Sequence, residues 1–250
     1  MKRRRILTVI PARKGSERVP RKAMREICGK PLVQYAIDVA KGASFVNDIV
    51  VSTDDSDVAA IARLAEVDVL TRPNILATDH VTLALVMRNI LELFDKAETY
   101  YDAILSLQCT SPLVSSDTVD KVITKFHSGE CSAVATVTRI RHGHPHLSKR
   151  LRHMPRPQRI NYHTICLLAN DFVDTSNVVL YPKRNLEKAY YFNGAMFLRD
   201  RSLLVDYDSD TNALGNRVVA VEMEDEESVN IDTEFDFKIV KLLLEARRNK

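Results

Sequence analysis

Apolar positions along the chain form short runs separated by stretches of helical period. Ile6-Leu7-Thr8-Val9-Ile10 is a β-branched run that stops at Pro11, as expected of a strand buried on both faces. After a polar stretch, Pro31 stands where a first helical residue belongs, and Leu32, Tyr35, Ala36 and Val39 recur at helical spacing. Asp48–Thr53 reads as a second strand. Asp54-Asp55-Ser56 follows it and can cap a helix carrying Val58, Ile61, Ala62 and Ala65. A short strand over Val67–Leu70, a helix from about His80 to Ala97 and a strand over Ala103–Leu107 continue the pattern. Ser115-Ser116-Asp117 caps the next helix, and Ser132–Thr138 is again strand.

Strands alternating with helices at this spacing require right-handed crossovers. The expected architecture is therefore an α/β fold, three-layer and Rossmann-like, built on a mostly parallel twisted sheet. The rhythm breaks at Arg139. From there to about Tyr190 the chain is rich in Arg, His, Pro and Asn, with one apolar island at Ile165–Ala169. The expectation is a single domain over 1–250 with an insertion at 139–190 that packs outside the main sheet, against a second subunit. Phe192–Leu198 and Arg217–Val221 return to strand, and Asp232–Arg247 closes the chain as an amphipathic helix.

At 250 residues, 45% hydrophobic and 28% charged, the chain has what a buried core needs. A net charge of +3 is too small to argue for nucleic acid or membrane, but its distribution is uneven. Eleven Lys and Arg residues crowd the first thirty positions, against only Glu17 and Glu26. The run Ile6–Ile10 is too short for the core of a signal peptide, and no stretch approaches the roughly 20 apolar residues of a membrane span. Cys28, Cys109, Cys131 and Cys166 show no paired spacing, which fits reduced thiols in a cytoplasmic enzyme. A nucleic-acid partner is not expected, because the basic stretch lacks interleaved aromatic residues and any reader motif.

The loop from Arg13 to Lys22 carries the clearest chemistry. It places five cations (Arg13, Lys14, Arg18, Arg21, Lys22) directly after the first strand. Ligands of such sheets bind at the carboxyl ends of strands, where this loop, Asp54 and Gln108 all fall. Gly15 and Ser16 supply backbone donors, while the cations supply charge-assisted contacts to phosphate oxygens. The loop is not a Walker motif: no second glycine precedes Lys22, and no Ser or Thr follows it.

The run Ile10-Pro11-Ala12-Arg13-x-Gly15-Ser16-x-Arg18-x-Pro20-x-Lys22 resembles the signature of sugar-acid cytidylyltransferases. These activate N-acylneuraminate and related nonulosonic acids, with the octulosonate enzymes as cousins. The resemblance continues in order at Val51-Ser52-Thr53-Asp54, Arg72-Pro73-x-x-Leu76-Ala77-x-Asp79, Leu107-Gln108-x-Thr110-Ser111-Pro112-Leu113, Asn193-Gly194-Ala195 and Ile231-Asp232-Thr233. It implies a homodimeric, Mg²⁺-dependent nucleotidyltransferase that moves CMP from CTP to the anomeric hydroxyl of a sugar acid and releases pyrophosphate. Ala12, Arg13, Gly15, Ser16 and Lys22 would hold the nucleotide's phosphates, with Arg72 and Thr82 on the pyrimidine side. Gln108 and Asn193 would contact the sugar acid, and Asp232, with Asn230, would hold Mg²⁺. Lys22, Arg13 and Asp232 would carry the chemistry, which in phosphoryl transfer is mainly alignment and charge neutralisation.

The chain departs from that pattern at several positions. Asn230 stands where the first of two aspartates is usual, and an amide carbonyl can ligate a cation but brings no charge. Cys109 replaces a proline, Tyr191 or Phe192 a basic residue, and Phe197 a tyrosine. These changes leave the acceptor open between a nonulosonate, an octulosonate and the acceptor of another NDP-sugar reaction. They also leave open a nucleotide-binding homologue with impaired catalysis. In the insertion, His142-x-His144-x-His146 has the spacing of a zinc chelate but no nearby carboxylate or thiolate. Arg139, Arg141, Lys149, Arg150, Arg152, Arg156 and Arg159 fit either an anion contact or a solvated, dimer-packing surface.

Overall fold

The structure is a computed structural model that describes residues 4–16, 18–141, 151–153, 171–173, 188–205, 207 and 213–248. In chain order it comprises β1 (Ile6–Pro11), a 3-10 turn (Lys22–Met24), β2 (Glu26–Ile27), β3 (Lys30–Pro31), α1 (Leu32–Gly42), β4 (Asp48–Thr53), α2 (Ser56–Leu64) and β5 (Asp68–Thr71). A second 3-10 turn (Asn74–Leu76), α3 (Leu83–Lys96), β6 (Ala103–Leu107), α4 (Ser116–His127) and β7 (Ala133–Arg139) follow. Then come β8 (Leu151–His153), β9 (Asp171–Val173), β10 (Tyr190–Asp200), α5 (Ser202–Val205), β11 (Val218–Glu222) and α6 (Glu234–Arg248). Two compact units result: one of 1–138 with 192–250, the other of 139–191.

The first unit is organised on a seven-stranded sheet of order β11-β7-β10-β6-β1-β4-β5. β1 pairs in parallel with β4 and β6, β4 with β5, and β11 with β7, while β10 runs antiparallel to β6. The sheet is thus mostly parallel, as expected, and β10 makes it mixed. β1 shows why the helices lie on both faces. Its alternate residues divide between two cores, because successive side chains of a strand point to opposite faces. Ile6 and Ile10 pack with Ile37, Val58, Val119 and Phe126 from α1, α2 and α4. Leu7 and Val9 pack with Met87, Ile90 and Leu91 from α3 and with Leu204 from α5. Each such side chain, removed fully from water, contributes roughly 1.5–3 kcal/mol. A third core joins Phe237, Val240 and Leu244 of α6 to Ile27, Leu32, Leu113 and Ile231.

Local caps set the element ends. Asp55 accepts from the Asp57 N–H, and Ser115 from the Thr118 N–H, so α2 and α4 begin where the sequence places them. α3 begins at Leu83 rather than near His80, because Thr82 Oγ1 accepts from the Leu85 N–H at 3.4 Å. α6 begins two residues after Asp232. Thr233 and Asp236 form a reciprocal cap there: Asp236 Oδ2 accepts from the Thr233 N–H at 2.8 Å, and the Asp236 N–H donates to Thr233 Oγ1 at 3.3 Å.

In the second unit β8 and β9 pair antiparallel, and the Ile140 N–H donates to the Ala189 carbonyl at 2.8 Å. His142, His144, His146, Lys149, Arg150, Arg156 and Arg159 lie outside the described residues, as does the Arg152 side chain. No helix among the described residues is long and apolar enough to cross a membrane.

Candidate functional site

Within the first unit, the ends of β1 and β6, the loop before α6 and part of β10 surround a cleft of about 350 Å³. Pro11, Ala12, Arg13, Gly15, Ser16 and Lys22 line it from the basic loop. Gln108, Cys109 and Thr110 line it from the end of β6, Gly194 and Phe197 from β10, and Asn230 and Asp232 from the segment before α6. Nearly all of the residues expected to act on phosphate or sugar therefore share one cavity.

The loop is pinned at its start. The Ala12 N–H donates to the Ser52 carbonyl at 2.9 Å, and the Lys14 N–H donates to Asp54 Oδ1 at 2.7 Å. A side chain at Gly15 would meet nothing within 4 Å, so the missing side chain leaves the wall open rather than relieving a clash. Arg21 adopts a left-handed conformation (φ 50°), unusual for a residue with a Cβ, and starts the turn that carries Lys22. Its guanidinium donates to Asp57 Oδ2 at 2.5 Å and to the buried Asp55 carboxylate at 3.2–3.3 Å. Donating to these two carboxylates raises the Arg21 pKa above its ordinary value. Arg21 thus anchors the loop to α2, and the internal carboxylates offset much of the loop's charge. Arg13 pairs with Asp79.

Lys22 reaches the other side of the site. Its Nζ donates to the Ile231 carbonyl at 2.6 Å and lies 3.5 Å from Asp232 Oδ1, with its side chain only 14% exposed. The second Asp232 oxygen accepts from Asn230 Nδ2 at 3.1 Å, and Asn230 Oδ1 accepts from Ser111 Oγ at 3.4 Å. The Ile231 N–H donates to the Thr110 carbonyl at 2.8 Å, so the segments after β6 and before α6 are stitched together. Burial alone would raise the pKa of Asp236. Hydrogen bonds from Thr233 and from the Asp232 and Thr233 N–H groups, with help from Lys22, hold it below the usual carboxylate range.

The Gln108 N–H donates to the Ala195 carbonyl at 2.9 Å, fixing the end of β6 against β10. Cys109 is buried beneath the cleft with its thiol 3.9 Å from the Pro11 carbonyl. Burial pushes the thiol up to about 11, although Lys22 and Arg72 pull the other way. Gly194 has φ +77°, a conformation open to glycine without strain, at the point where β10 passes the cleft. Phe197 lines the cleft, and the Arg199 guanidinium lies 4.7 Å from its ring centroid. Arg199 is only 6% exposed, and burial lowers its pKa to about 10.

Three expected site residues do not line the cleft. Arg72 is buried, and its guanidinium donates to the Ser52 carbonyl at 3.0 Å and to Ser52 Oγ at 3.3 Å. Burial lowers its pKa; Asp54 opposes that shift and Arg13 adds to it. Thr82 is occupied as the cap of α3. Asn193 is buried, accepting from Thr136 Oγ1 at 2.7 Å and donating to Thr138 Oγ1 at 3.0 Å, so it braces β10 to β7. A short side chain next to a Gly in a strand reads equally well as a pocket residue or a brace, and only the neighbouring threonines decide between them. Asp79, Ser111 and Arg199 carry no role that the sequence alone indicated. Asp79 and Ser111 stand within the resembling motifs, but their partners Arg13 and Asn230 are 66 and 119 residues away.

As a cation site the arrangement is sparse. Among the described residues lining the cleft Asp232 is the one carboxylate, and the Asn230 carbonyl is turned to Ser111 rather than alongside it. No group of three or more His, Cys, Asp or Glu side chains placed to hold a metal ion occurs among the described residues.

Comparison with known proteins gives this geometry its context. The family model described as cytidylyltransferase matches residues 7–164. The N-acylneuraminate cytidylyltransferase of Escherichia coli O18:K1:H7 is 27% identical over 249 residues, 99% of this chain and 54% of that protein. The CMP-N,N'-diacetyllegionaminic acid synthase of Legionella pneumophila is 36% identical over 137 residues, 54% of this chain and 59% of that protein. The chain thus spans little more than half the length of these curated relatives. Among solved structures, CMP:2-keto-3-deoxy-manno-octonic acid synthetase complexed with CTP superposes with a TM-score of 0.69 at 18% identity, covering 97% of this chain and 99% of that one. At that identity the likeness establishes the fold.

Proposed function

Because this chain belongs to the cytidylyltransferase family, we propose that it transfers CMP from CTP to the anomeric hydroxyl of a nonulosonic, sialic-acid-like sugar acid. The observation that carries the reading is the single cleft in which Arg13, Ser16 and Lys22 meet Gln108 and Asp232. Arg13 and Lys22 would take the triphosphate, with Gly15 and Ser16 presenting backbone and hydroxyl donors to its oxygens and Ala12 forming the wall beside them. The sugar hydroxyl attacks the α-phosphorus and loses its proton to solvent. The α–β bridging bond breaks, and pyrophosphate leaves with that electron pair. Lys22, deep at the joint with Ile231, is the cation that would steady charge on the α-phosphate. Gln108 would hydrogen-bond the acceptor.

Mg²⁺ belongs to the same proposal: when bound it would neutralise phosphate charge, and Asp232 is the carboxylate that fits it. Assembly as a homodimer through 139–191 in the cytoplasm completes the reading. Supporting it, Tyr190 and Tyr191 of that unit are 41% and 49% exposed, and aromatic side chains of this kind are enriched at protein interfaces.

The test is pyrophosphate release with each of the four nucleoside triphosphates over a panel of 2-keto sugar acids that includes nonulosonates and an octulosonate. Turnover with CTP and a nonulosonate is expected. CTP binding without turnover on any acid would replace this reading with that of a nucleotide-binding homologue.

A further inference from the structure

Asn230 joins two sides of the site that its own chemistry keeps distinct. One end of its amide faces an oxygen of Asp232, an atom that only accepts, so that end must be the NH₂ group. The carbonyl end faces the hydroxyl of Ser111, which is 3% exposed and free to donate. With Lys22 donating to the other Asp232 oxygen, donors converge on this carboxylate from both sides, Ser111 acting through Asn230 and Lys22 directly.

We propose that Ser111 and Asn230 are positioning residues that hold Asp232 as the counter-ion of Lys22, and that Asn230 is not itself a cation ligand. An aspartate at 230 would present a second charge and no donor, and would turn the same pair outward as a two-carboxylate cation site. With asparagine, each Asp232 oxygen already has one donor and the amide carbonyl points to Ser111. A divalent cation offered alone would compete with those donors for a single carboxylate, and would bind well only when phosphate oxygens arrive with it. Cation and nucleotide uptake are therefore coupled in this chain by the orientation of one amide. The inference rests on the proposed nucleotide reading only through that last consequence; the weak nucleotide-free cation site follows from the hydrogen bonds alone.

The experiment is a titration of the nucleotide-free protein with Mn²⁺, followed by electron paramagnetic resonance, for the wild type, Asn230→Asp and Ser111→Ala. Asn230→Asp should bind Mn²⁺ at least about tenfold more tightly than the wild type, the size of effect that ligand and outer-shell changes produce. Ser111→Ala, which frees the amide to turn its carbonyl outward, should give a smaller rise in the same direction. With CTP present the three proteins should converge. Equal nucleotide-free affinities in the wild type and both variants would overturn the proposal, and Ser111→Ala decides it alone if Asn230→Asp does not fold. Failure to bind CTP would count against the proposed function and leave the Mn²⁺ comparison standing.

Discussion

Lys22 Nζ lies 2.6 Å from the carbonyl oxygen of Ile231, a residue 209 positions further along the chain. This contact ties the first βα loop to the start of α6 and puts the loop's most buried cation at the floor of the cleft. Lys22→Ala should lower turnover with CTP by roughly 10²–10³-fold, the usual cost of removing one charge-stabilising donor. It should leave circular dichroism unchanged. Near wild-type pyrophosphate release would show that Lys22 serves only as a structural tie.

Asn193 separates a brace from a sugar contact. Its truncation to alanine removes the side-chain partner of Thr136 and Thr138 inside the sheet, although Thr136 keeps its hydrogen bonds to the Met196 backbone. The expected loss is about 2–3 kcal/mol of unfolding free energy in urea. The KM for the sugar acid should move far less. A large KM change at unaltered stability would return Asn193 to the pocket.

Cys109 should be inert in the folded protein. With its thiol pushed up to about 11, the thiolate is scarce at pH 8, and iodoacetamide should label the half-buried Cys28 before Cys109. The linkage has a definite sign. Below the unfolded thiol pKa, near 8.5, both states hold the proton and stability is level. Above it the unfolded chain releases a proton that the folded protein keeps, so stability falls as pH rises toward 11. Cys109→Ser should flatten that decline, as seen in melting temperatures taken from pH 8 to pH 11.

Asp55 caps α2 and holds Arg21 at once. Asp55→Ala should cost about 1–2 kcal/mol through the lost cap. Because Arg21 starts the turn that delivers Lys22, CTP affinity should fall with it, whereas Ser115→Ala, the corresponding cap of α4, should lower stability without affecting CTP. Equal CTP affinity in the two variants would show that the loop holds its shape without Arg21.

Periodicity and capping chemistry are local, and they were legible. β1, β4, β6 and β7 fall within a residue of their expected bounds, and Asp55 and Ser115 cap where their sequence positions suggest. The antiparallel direction of β10 was not legible, since a strand's alternation carries no sign of its orientation. In the site, the basic loop announced itself by charge and position. Its internal carboxylate partners did not, because the Arg13–Asp79 and Lys22–Asp232 pairs depend on how distant segments meet. The burial of Arg72 and Asn193 was hidden for the same reason: a polar residue in a motif looks alike whether it faces a ligand or a neighbouring strand.

Arg13 and Lys22 each already have a carboxylate beside them, and this changes what kind of binding the cleft can perform. An incoming anion does not fill a vacant positive pocket; it competes with Asp79 and Asp232 for cations they already hold. The net gain is a difference between two electrostatic arrangements, small for a weakly charged competitor and large for a polyanion that can displace both carboxylates together. Inorganic phosphate and nucleoside monophosphates, abundant in any cell, would therefore be poor occupants beside a triphosphate. On the proposed reading the resident aspartates would act as a threshold, sorting anions by charge before any contact with base or sugar is made.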